Sequence, residues 1–476
     1  MDKLTNTFDF NTYGKKVFDF IDKYFKSIEG YPVIAQVNPG DIAKQLPAQP
    51  PLAPDSMEDI LRDFEDIIIP GITHWNHPMF MAMFNSTSTG PGILAEALTA
   101  ALNANGFLWM GSPSLTELEN VVLKWFGMLV GVPGDYFGII YDSASTSTMH
   151  AIAAARELVL NKYDFKHEGF PSGTNLKLRI YCSEFAHSSV DKGAMVLGVG
   201  LNNVIKIKTD KNLSMIPDEL EKAIKQDREK GYVPFCVVAT AGTTSFTSID
   251  PIDAIGSICS SENIWLHIDG AYGGSSAILE EMKYIFKGIE KADSVVINPH
   301  KWFFNPTDIS LFYTKKPEVL KDAFSIVPEY LKTNNEEAVN LMDYGFQLGR
   351  RFRALKLWFT IRYYGVENLK GIIREHISLA KMFEKLIVDS NEFELIAPVP
   401  FSTVCFRYNP GNMNEEQLNS INKKIMDNLN KSGKIYLSHT KLKEKYVIRL
   451  VVAGFYQKQE HIMKAWKLIK ETVSNL

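Results

Sequence analysis

The sequence is poor in cysteine, and its cysteines follow no paired motif. Four occur among 476 residues, none of them in a CxxC spacing. No HExxH motif and no clustered Cys/His spacing is present either, so the sequence predicts no metal site. Most of the cysteines lie in or beside apolar segments, which favours buried free thiols in a cytoplasmic protein over disulfides. The four residues are Cys182, Cys236, Cys259 and Cys405.

Long apolar runs and an excess of one charge sign are also absent. The 51 basic and 55 acidic residues leave a net charge of −4, which argues against a nucleic-acid partner. No apolar run reaches the roughly 18 residues that span a bilayer. The segment Met1–Lys16 mixes charged and polar residues without an apolar stretch, so we expect neither a secretory signal nor membrane insertion.

The remaining composition is that of a globular protein with a large core. Hydrophobic residues make up 45% of the chain and charged residues 22%, which argues against a disordered chain. The length is enough for about three domains.

Short apolar runs alternate with helical stretches from about residue 90 onward. Several runs are apolar throughout, which is typical of strands that are covered on both faces. Repeated strand–helix units predict an α/β fold with a mostly parallel sheet. The predicted strands are Phe137–Tyr141, Leu178–Cys182, Val204–Ile207, Phe235–Ala239, Ile264–Ile268, Ser294–Ile297 and Ile309–Tyr313.

This central region, residues 90–365, is the expected large domain. Within it we also predict a helix over Ser114–Leu129, opened by a capping box of Ser114 and Glu117, and a long helix over Gly349–Tyr364. Residues 1–89 are interrupted by prolines and predict short helices with little core of their own. We expect that segment to pack on a larger body, such as a second subunit.

The C-terminal residues 366–476 predict a smaller α+β domain. An amphipathic helix over Asn368–Leu386 opens it, and a helix over Gln459–Val473 closes it. Strands are predicted at Thr403–Tyr408, Lys434–Leu437 and Val447–Val452.

The stretch Ser294-Val-Val-Ile-Asn-Pro-His-Lys-Trp302 is the most informative for chemistry. A buried strand ends at Ile297 and delivers Lys301 just past its carboxyl end, where open α/β sheets bind ligands. Desolvation there lowers the pKa of a lysine and supplies a neutral amine for Schiff-base chemistry. The alternative is a solvated loop lysine, which the flanking His300 and Trp302 disfavour.

A second strand ends in an acid, within Trp265-Leu-His-Ile-Asp-Gly-Ala-Tyr272. Asp269 lies 32 residues before Lys301, about one strand–helix unit away, so the two side chains can face one crevice. An aspartate in that place can keep a pyridinium nitrogen protonated, as a pyridoxal cofactor requires. Ala271 leaves room for a flat ring. The alternative role of Asp269 is a helix cap.

Two further strand ends carry polar side chains. After the first strand, Asp142-Ser-Ala-Ser-Thr-Ser-Thr148 precedes a helix, and free N–H groups with hydroxyl donors can bind a phosphate there. These hydroxyl residues can equally be simple helix caps. Because the loop has no Walker or dinucleotide glycine pattern, nucleotide binding is disfavoured. After the second strand, His187 can stack on a cofactor ring or serve as a structural hydrogen-bond partner.

These residues together resemble a known family, the group II pyridoxal-phosphate-dependent decarboxylases, in the aromatic-L-amino-acid decarboxylase branch. The resemblance runs from about Pro70 to the end of the chain. The matching segments are Thr73-His-Trp-Asn-His-Pro78, Gly111-Ser-Pro-Ser-Leu-Thr-Glu-Leu-Glu119, Ala186-His-Ser-Ser-Val190, Ala239-Thr-Ala-Gly-Thr-Thr244, the Asp269 and Lys301 segments, and Leu348-Gly-Arg-Arg-Phe-Arg-Ala-Leu-Lys-Leu-Trp-Phe359. The resemblance implies the aspartate-aminotransferase type of fold (PLP fold type I), with a helical N-terminal segment at 1–89 swapped across a homodimer, a seven-stranded large domain and a small C-terminal domain. The active sites would lie at the dimer interface.

The resemblance also implies the site residues. Lys301 would hold pyridoxal 5'-phosphate covalently, Asp269 would pair with the pyridine nitrogen, and the ring would lie between His187 and Ala271. The phosphate would be anchored by Ser143, Ala144, Ser145, Asn298 and His300, with Thr244 near the ring substituents. A substrate wall would be formed by Phe80, Met83, Phe84, Asn105, Phe107 and Gly349. Catalysis would involve Lys301, His187, Asp269 and Tyr330.

The implied reaction is the decarboxylation of aromatic L-amino acids to arylalkylamines and CO₂, with tryptophan, phenylalanine, tyrosine or dopa as substrate. Some positions depart from the family pattern. Asp142 and Thr146 replace a glycine and a glutamate of the phosphate loop, while Met83 and Asn105 replace a tyrosine and an aliphatic residue of animal members. In plant relatives, a glycine at the position of Gly349 occurs together with a pocket that has room for indole rings. These departures leave the preferred ring open.

Two alternatives remain on the same scaffold. One is an aromatic aldehyde synthase, which typically carries phenylalanine where this chain has Tyr330. The other is a non-catalytic binding protein that retained the fold, which the intact set of Lys301, Asp269 and His187 disfavours.

Overall fold

The computed structural model describes residues 8–84, 87–170, 176–326 and 338–476. Two β-sheets organise these residues, a large sheet of seven strands and a small sheet of four. The strands β1 to β11 are, in chain order, Phe137–Tyr141, Leu178–Ser183, Val204–Ile207, Val233–Thr240, Trp265–Asp269, Ser294–Ile297, Ser310–Thr314, Phe393–Leu395, Thr403–Tyr408, Ser438–Leu442 and Lys445–Val451.

Helices surround both sheets. In chain order, α1 to α15 are Phe10–Lys26, Met57–Asp63, Gly90–Leu102, Pro113–Val130, Ala144–Leu160, Phe165–Glu168, Ser189–Val196, Pro217–Glu229, Ile252–Glu262, Pro299–Trp302, Pro317–Phe324, Ala354–Tyr364, Val366–Val388, Glu415–Lys431 and Gln459–Ser474. No helix within the described ranges has the length and apolar character that a membrane crossing requires.

The large sheet has the strand order β1-β7-β6-β5-β4-β2-β3. Only β7 runs against its neighbours β1 and β6, and every other pair is parallel. Strands β2, β5, β6 and β7 are buried at every residue, as the uniformly apolar runs predict. The carboxyl ends of β1, β2, β4, β5 and β6 therefore meet at one edge of the sheet. The predicted seven-stranded, mostly parallel α/β sheet is confirmed.

The small sheet is antiparallel throughout, in the order β10-β11-β9-β8. Its core packs against apolar residues of α13, α14 and α15 and against the segment Met79–Ala82. The sequence prediction missed α14 and β8. Its strand at Lys434–Leu437 is wrong, because the strand begins only at Ser438, and Tyr436 makes an isolated bridge with Phe80 instead.

Two predicted helix starts are also corrected. Helix α4 begins at Pro113 and has Ser112 as its N-cap residue, without a side-chain cap, so the Ser114–Glu117 capping box is wrong. Helix α12 begins at Ala354 rather than Gly349. The backbone N–H of Arg350 donates to the Asn105 side chain at 2.8 Å, and its carbonyl accepts from the Gly106 N–H at 3.0 Å. These tertiary bonds replace the bonds of a helical turn.

All four cysteines are buried and free, which confirms the prediction of free thiols.

Candidate active site

The large sheet brings the predicted acid and lysine to the same edge. Asp269 is the last residue of β5 and pairs in register with Val296 of β6. Strand β6 ends one residue later, and the short helix α10 that follows carries Lys301. Both side chains therefore follow the carboxyl ends of adjacent parallel strands.

Backbone hydrogen bonds fix the two segments to each other. The Ala271 N–H donates to Asp269 Oδ1 at 3.0 Å, and the Asn298 N–H donates to the Ala271 carbonyl at 3.2 Å. The Lys301 N–H then donates to the Asn298 carbonyl at 2.9 Å. The Asp269 carboxylate and the backbone of Lys301 are thus linked through the main chain of Ala271 and Asn298.

Lys301, Asp269 and His187 lie close enough to affect one another's charge. Burial of the ammonium lowers the pKa of Lys301, and the Asp269 carboxylate opposes that shift. Burial also lowers the pKa of His187, again opposed by Asp269, with Lys301 lowering it further. The structure therefore brings together the three residues that the sequence predicted, with the amine in an environment that favours its neutral form.

His300 and Asn298 form a polar pair beside the lysine. The Ile309 N–H donates to His300 Nδ1 at 3.0 Å, and burial lowers the pKa of His300 to about 4, so the neutral ring carries its hydrogen on Nε2. Asn298 Nδ2 lies 3.3 Å from that atom, and since two N–H donors cannot bond to each other, we assign the Asn298 amide with its nitrogen and oxygen exchanged, so that the oxygen accepts from His300 Nε2–H.

The other amide atom of Asn298, placed as Oδ1, is buried and has no partner among the described residues, and under the exchanged assignment this atom is the NH₂ donor. A buried, unpaired N–H donor is costly unless a ligand accepts its hydrogen bond. Asn298 therefore fits a phosphate oxygen.

The loop between β1 and α5 supplies further donors. Ser143 is the N-cap residue of α5, and its Oγ accepts from the Thr146 N–H at 3.3 Å. The same hydroxyl lies 3.2 Å from Asp142 Oδ1 and 3.2 Å from Thr146 Oγ1. Asp142 and Thr146, the two departures from the family pattern, thus bond within the loop. Ala144 and Ser145 begin α5, and because the first N–H groups of a helix have no partner within it, they can donate to an anion.

An aromatic column supports the site, and the sequence prediction assigned no role to most of it. The Phe84 ring stacks on Tyr272 with centroids 3.6 Å apart, and Tyr272 stacks on Trp302 at 4.8 Å. Trp302 Nε1–H donates to His376 Nδ1 at 3.0 Å. Because Trp302 is the neighbour of Lys301, this column limits the movement of α10.

The predicted wall residues occupy different surroundings. Met83 is 41% exposed, and the Phe84 ring lies beside Lys301. Asn105 and Gly349 are both exposed in the single chain. Phe107 is partly buried. The Phe80 ring is 0% exposed and packs between Trp75 and Tyr436 in the core of the small sheet, so its place in the substrate wall stays a prediction.

A buried ion pair holds the segment that precedes α12. Arg350 Nη2 lies 2.6 Å from Glu119 Oε1, and both side chains are buried. Glu119 Oε1 also accepts from the Ile140 N–H at 2.8 Å, and Arg350 donates to the Ile140 carbonyl at 3.0 Å. The pair therefore joins α4, β1 and the residues next to Asn105 and Gly349.

Thr244 lies in the turn after β4, where its side chain is exposed, and its carbonyl accepts from Arg449 Nη2 at 2.7 Å. The sequence analysis did not identify Arg449 as a residue of the site, although a charge within the apolar strand β11 was a usable signal.

Tyr330, the predicted proton donor, lies outside the described residues.

Known proteins resemble this chain over nearly its whole length. The family model described as "Pyridoxal-dependent decarboxylase conserved domain" matches residues 39–409. The chain is 39% identical to tyrosine decarboxylase 4 of Petroselinum crispum, covering 98% of this chain and 96% of that protein. It is 40% identical to phenylacetaldehyde synthase of Arabidopsis thaliana, again covering 98% of this chain and 96% of that protein. The crystal structure of Oryza sativa TDC with PLP and tryptamine matches with a TM-score of 0.95 at 33% identity, covering 99% of both chains.

Proposed function

Because the chain belongs to the pyridoxal-dependent decarboxylase family and is an amino-acid decarboxylase of that family with pyridoxal phosphate as cofactor, we propose that it converts aromatic L-amino acids to arylalkylamines and CO₂. The observation that carries the proposal is the desolvated amine of Lys301 beside Asp269 and His187. This arrangement suits a cofactor with an aldehyde and a basic ring nitrogen, and a structural lysine does not require it.

Each cofactor contact has a candidate in the chain. Lys301 binds the aldehyde, Asp269 holds a proton on the pyridine nitrogen, and His187 and Ala271 cover the two ring faces. Thr244 lies beside the ring substituents. The phosphate is held by Ser143, Ala144, Ser145, Asn298 and His300. The bound cofactor supplies an electron sink for the pair released as CO₂ leaves.

The substrate ring lies against Met83 and Phe84 in this proposal. Asn105, Phe107 and Gly349 complete the wall across a subunit interface, which is supported by the exposed positions of Asn105 and Gly349 in one chain. The chain divides into the segment 1–89, a large domain at 90–365 and a small domain at 366–476.

Tyr330 returns a proton to the substrate Cα, directly or through His187, and so determines that an amine is the product. This assignment separates the chain from the aldehyde synthases, which are equally similar to it in overall identity. The resemblance associates a tyrosine at this position with decarboxylation and a phenylalanine with aldehyde formation.

A homodimer is supported by an apolar face on α3. Leu94, Leu98 and Leu102 are spaced four residues apart and are 49%, 47% and 63% exposed. One face of a helix carries residues at this spacing, and an exposed apolar face marks an interaction surface. Leu98→Glu is expected to shift the mass in solution from dimer to monomer, whereas the control Val388→Glu, at an exposed residue at the end of α13, is expected to leave it unchanged. We place the enzyme in the cytoplasm, in keeping with its four free thiols.

One competition assay tests the function. The purified chain with added pyridoxal phosphate is given equal amounts of tryptophan, tyrosine, phenylalanine, dopa and histidine, and CO₂, amines and aldehydes are measured. Amines from the aromatic acids are expected. CO₂ release from none of them contradicts the proposal, and aldehydes in place of amines support the synthase.

A further inference from the structure

A charged residue occupies the centre of the apolar strand β11. Arg449 is 6% exposed, between Ile448 and Leu450, which are both fully buried. Buried charges in proteins are normally paired with an opposite charge. Among the described residues, no carboxylate lies within ion-pair distance of Arg449.

Arg449 instead donates to uncharged oxygens of three separate segments. Its Nε donates to the Ser245 carbonyl at 2.9 Å and its Nη2 to the Thr244 carbonyl at 2.7 Å. Its Nη1 donates to Ser438 Oγ at 2.8 Å and to the Ala82 carbonyl at 3.4 Å. The guanidinium therefore joins the small sheet to the turn after β4 and to the segment that leads into Phe84.

Other side chains of the small sheet bind the same turn. Thr440 Oγ1 donates to Ser245 Oγ at 3.1 Å, and Cys405 Sγ donates to the Ser245 carbonyl at 3.4 Å. The next residue, Phe246, is buried in a cluster with Cys405 and Val447. The turn that carries Thr244 is thus held by the small sheet, although it belongs to the large one.

Arg449 also lies near Phe84, the aromatic neighbour of Lys301. Arg449 Cζ lies 5.7 Å from the centroid of the Phe84 ring, and Lys301 Nζ lies 5.6 Å from it. Phe84 and Thr244 are both candidate site residues, and Arg449 bonds to the chain at or near each of them.

We propose that Arg449 is a positioning residue, which fixes the Thr244 turn and Phe84 from the small sheet and thereby sets the affinity of the site for its cofactor. The part of this inference that concerns cofactor affinity rests on the proposed function. The part that concerns the position of the Thr244 turn does not. A planar guanidinium has five N–H donors in a fixed fork, and it reaches oxygens on several sides at once. A lysine at this position has one nitrogen and cannot replace the fork.

A matched arginine separates positioning from simple stability. Arg407 lies on the neighbouring strand β9 and is 3% exposed, but it pairs with Glu394 and Glu415 of the C-terminal region. Arg407→Met therefore removes a buried arginine of the same sheet without touching the Thr244 turn.

Hydrogen exchange of the cofactor-free chain provides the first test. In Arg449→Met, amides of residues 240–248 are expected to exchange at least tenfold faster than in the wild type, while Arg407→Met leaves them within twofold. Arg449→Lys keeps the charge and is expected to raise the exchange at least threefold. Unchanged exchange in Arg449→Lys overturns the proposal even where Arg449→Met does not fold.

Titration of the same proteins with pyridoxal phosphate, followed by absorbance, provides the second test. The Kd is expected to rise at least tenfold in Arg449→Met and at least threefold in Arg449→Lys, and to stay within twofold in Arg407→Met. Equal Kd changes in the two methionine variants overturn the positioning role. If the wild type binds no pyridoxal phosphate, the proposed function fails, and the exchange measurement still decides whether Arg449 holds the turn.

Discussion

Lys301 faces the ring of Phe84, with its Nζ 5.6 Å from the ring centroid. An aromatic face gives an ammonium ion less stabilisation than water does, so this contact is consistent with the lowered pKa of Lys301. Phe84 is in turn stacked on Tyr272, so the apolar side of the site is anchored in the core. Among the described residues, the carboxylate of Asp269 is the charge that opposes this lowering of the Lys301 pKa.

Lys301→Ala is expected to abolish covalent cofactor binding and steady turnover. The lowered pKa leaves more of the wild-type amine neutral near pH 7 than in an ordinary lysine, and a neutral amine is the form that attacks an aldehyde. Borohydride reduction followed by peptide mapping is expected to place the pyridoxyl group on Lys301. A label on another lysine contradicts the site assignment.

Asp269→Asn is expected to retain cofactor but slow the chemical step. The amide oxygen can still accept from the Ala271 N–H, so the local backbone is preserved. The lost charge-assisted bond to the ring nitrogen is worth about 1.5–3 kcal/mol, which is roughly one to two decades in kcat. A kcat close to that of the wild type, at equal cofactor content, is incompatible with the role given to Asp269.

Gly349→Ser is expected to lower kcat/KM for tryptophan more than for phenylalanine. Within the described part of the chain, a Cβ built on Gly349 meets only Asn105 Nδ2, at 3.7 Å, so the substitution is expected to fit the folded chain and to act on the pocket. Gly371→Ser is the control, because a Cβ there has no described neighbour within 4 Å. Equal losses for the two substrates imply that Gly349 does not line the ring pocket.

Arg350→Met is expected to destabilise the chain by about 3–5 kcal/mol, because it leaves the buried Glu119 carboxylate without its partner. Urea unfolding measures the change. The double variant Glu119→Leu/Arg350→Met is expected to recover a large part of the loss, since it leaves no unpaired charge. A loss below about 1 kcal/mol in the single variant means that water or another group compensates the carboxylate.

The strand ends were predictable because uniformly apolar runs identify buried strands, and a parallel sheet gathers their carboxyl ends. That logic located Asp269, Lys301 and His187 from local sequence alone. The start of α12 was not predictable in this way. The backbone groups of Arg350 bond to Asn105 and Gly106, more than 200 residues away, and no local pattern contains that information.

The side-chain contacts between the two sheets could not be predicted from local sequence either. The bond from Arg449 to the Thr244 carbonyl joins residues 205 positions apart. Phe80 and Phe84 are four residues apart and chemically identical, yet one enters the core of the small sheet and the other faces Lys301. Only the path of the chain between the sheets separates the two roles.

Tyr330→Phe is expected to change the product, because it removes a phenolic proton while it leaves the shape of the side chain nearly the same. After CO₂ leaves, the electron-rich intermediate either takes a proton at Cα or reacts with oxygen. The variant is expected to release CO₂ but to form less amine and more aldehyde, with ammonia and peroxide. Product analysis under air measures the amine-to-aldehyde ratio, and the same assay under argon is the control, since the aldehyde requires oxygen. A slower variant with an unchanged ratio shows that Tyr330 is not the proton donor, and His187 then becomes the residue to test.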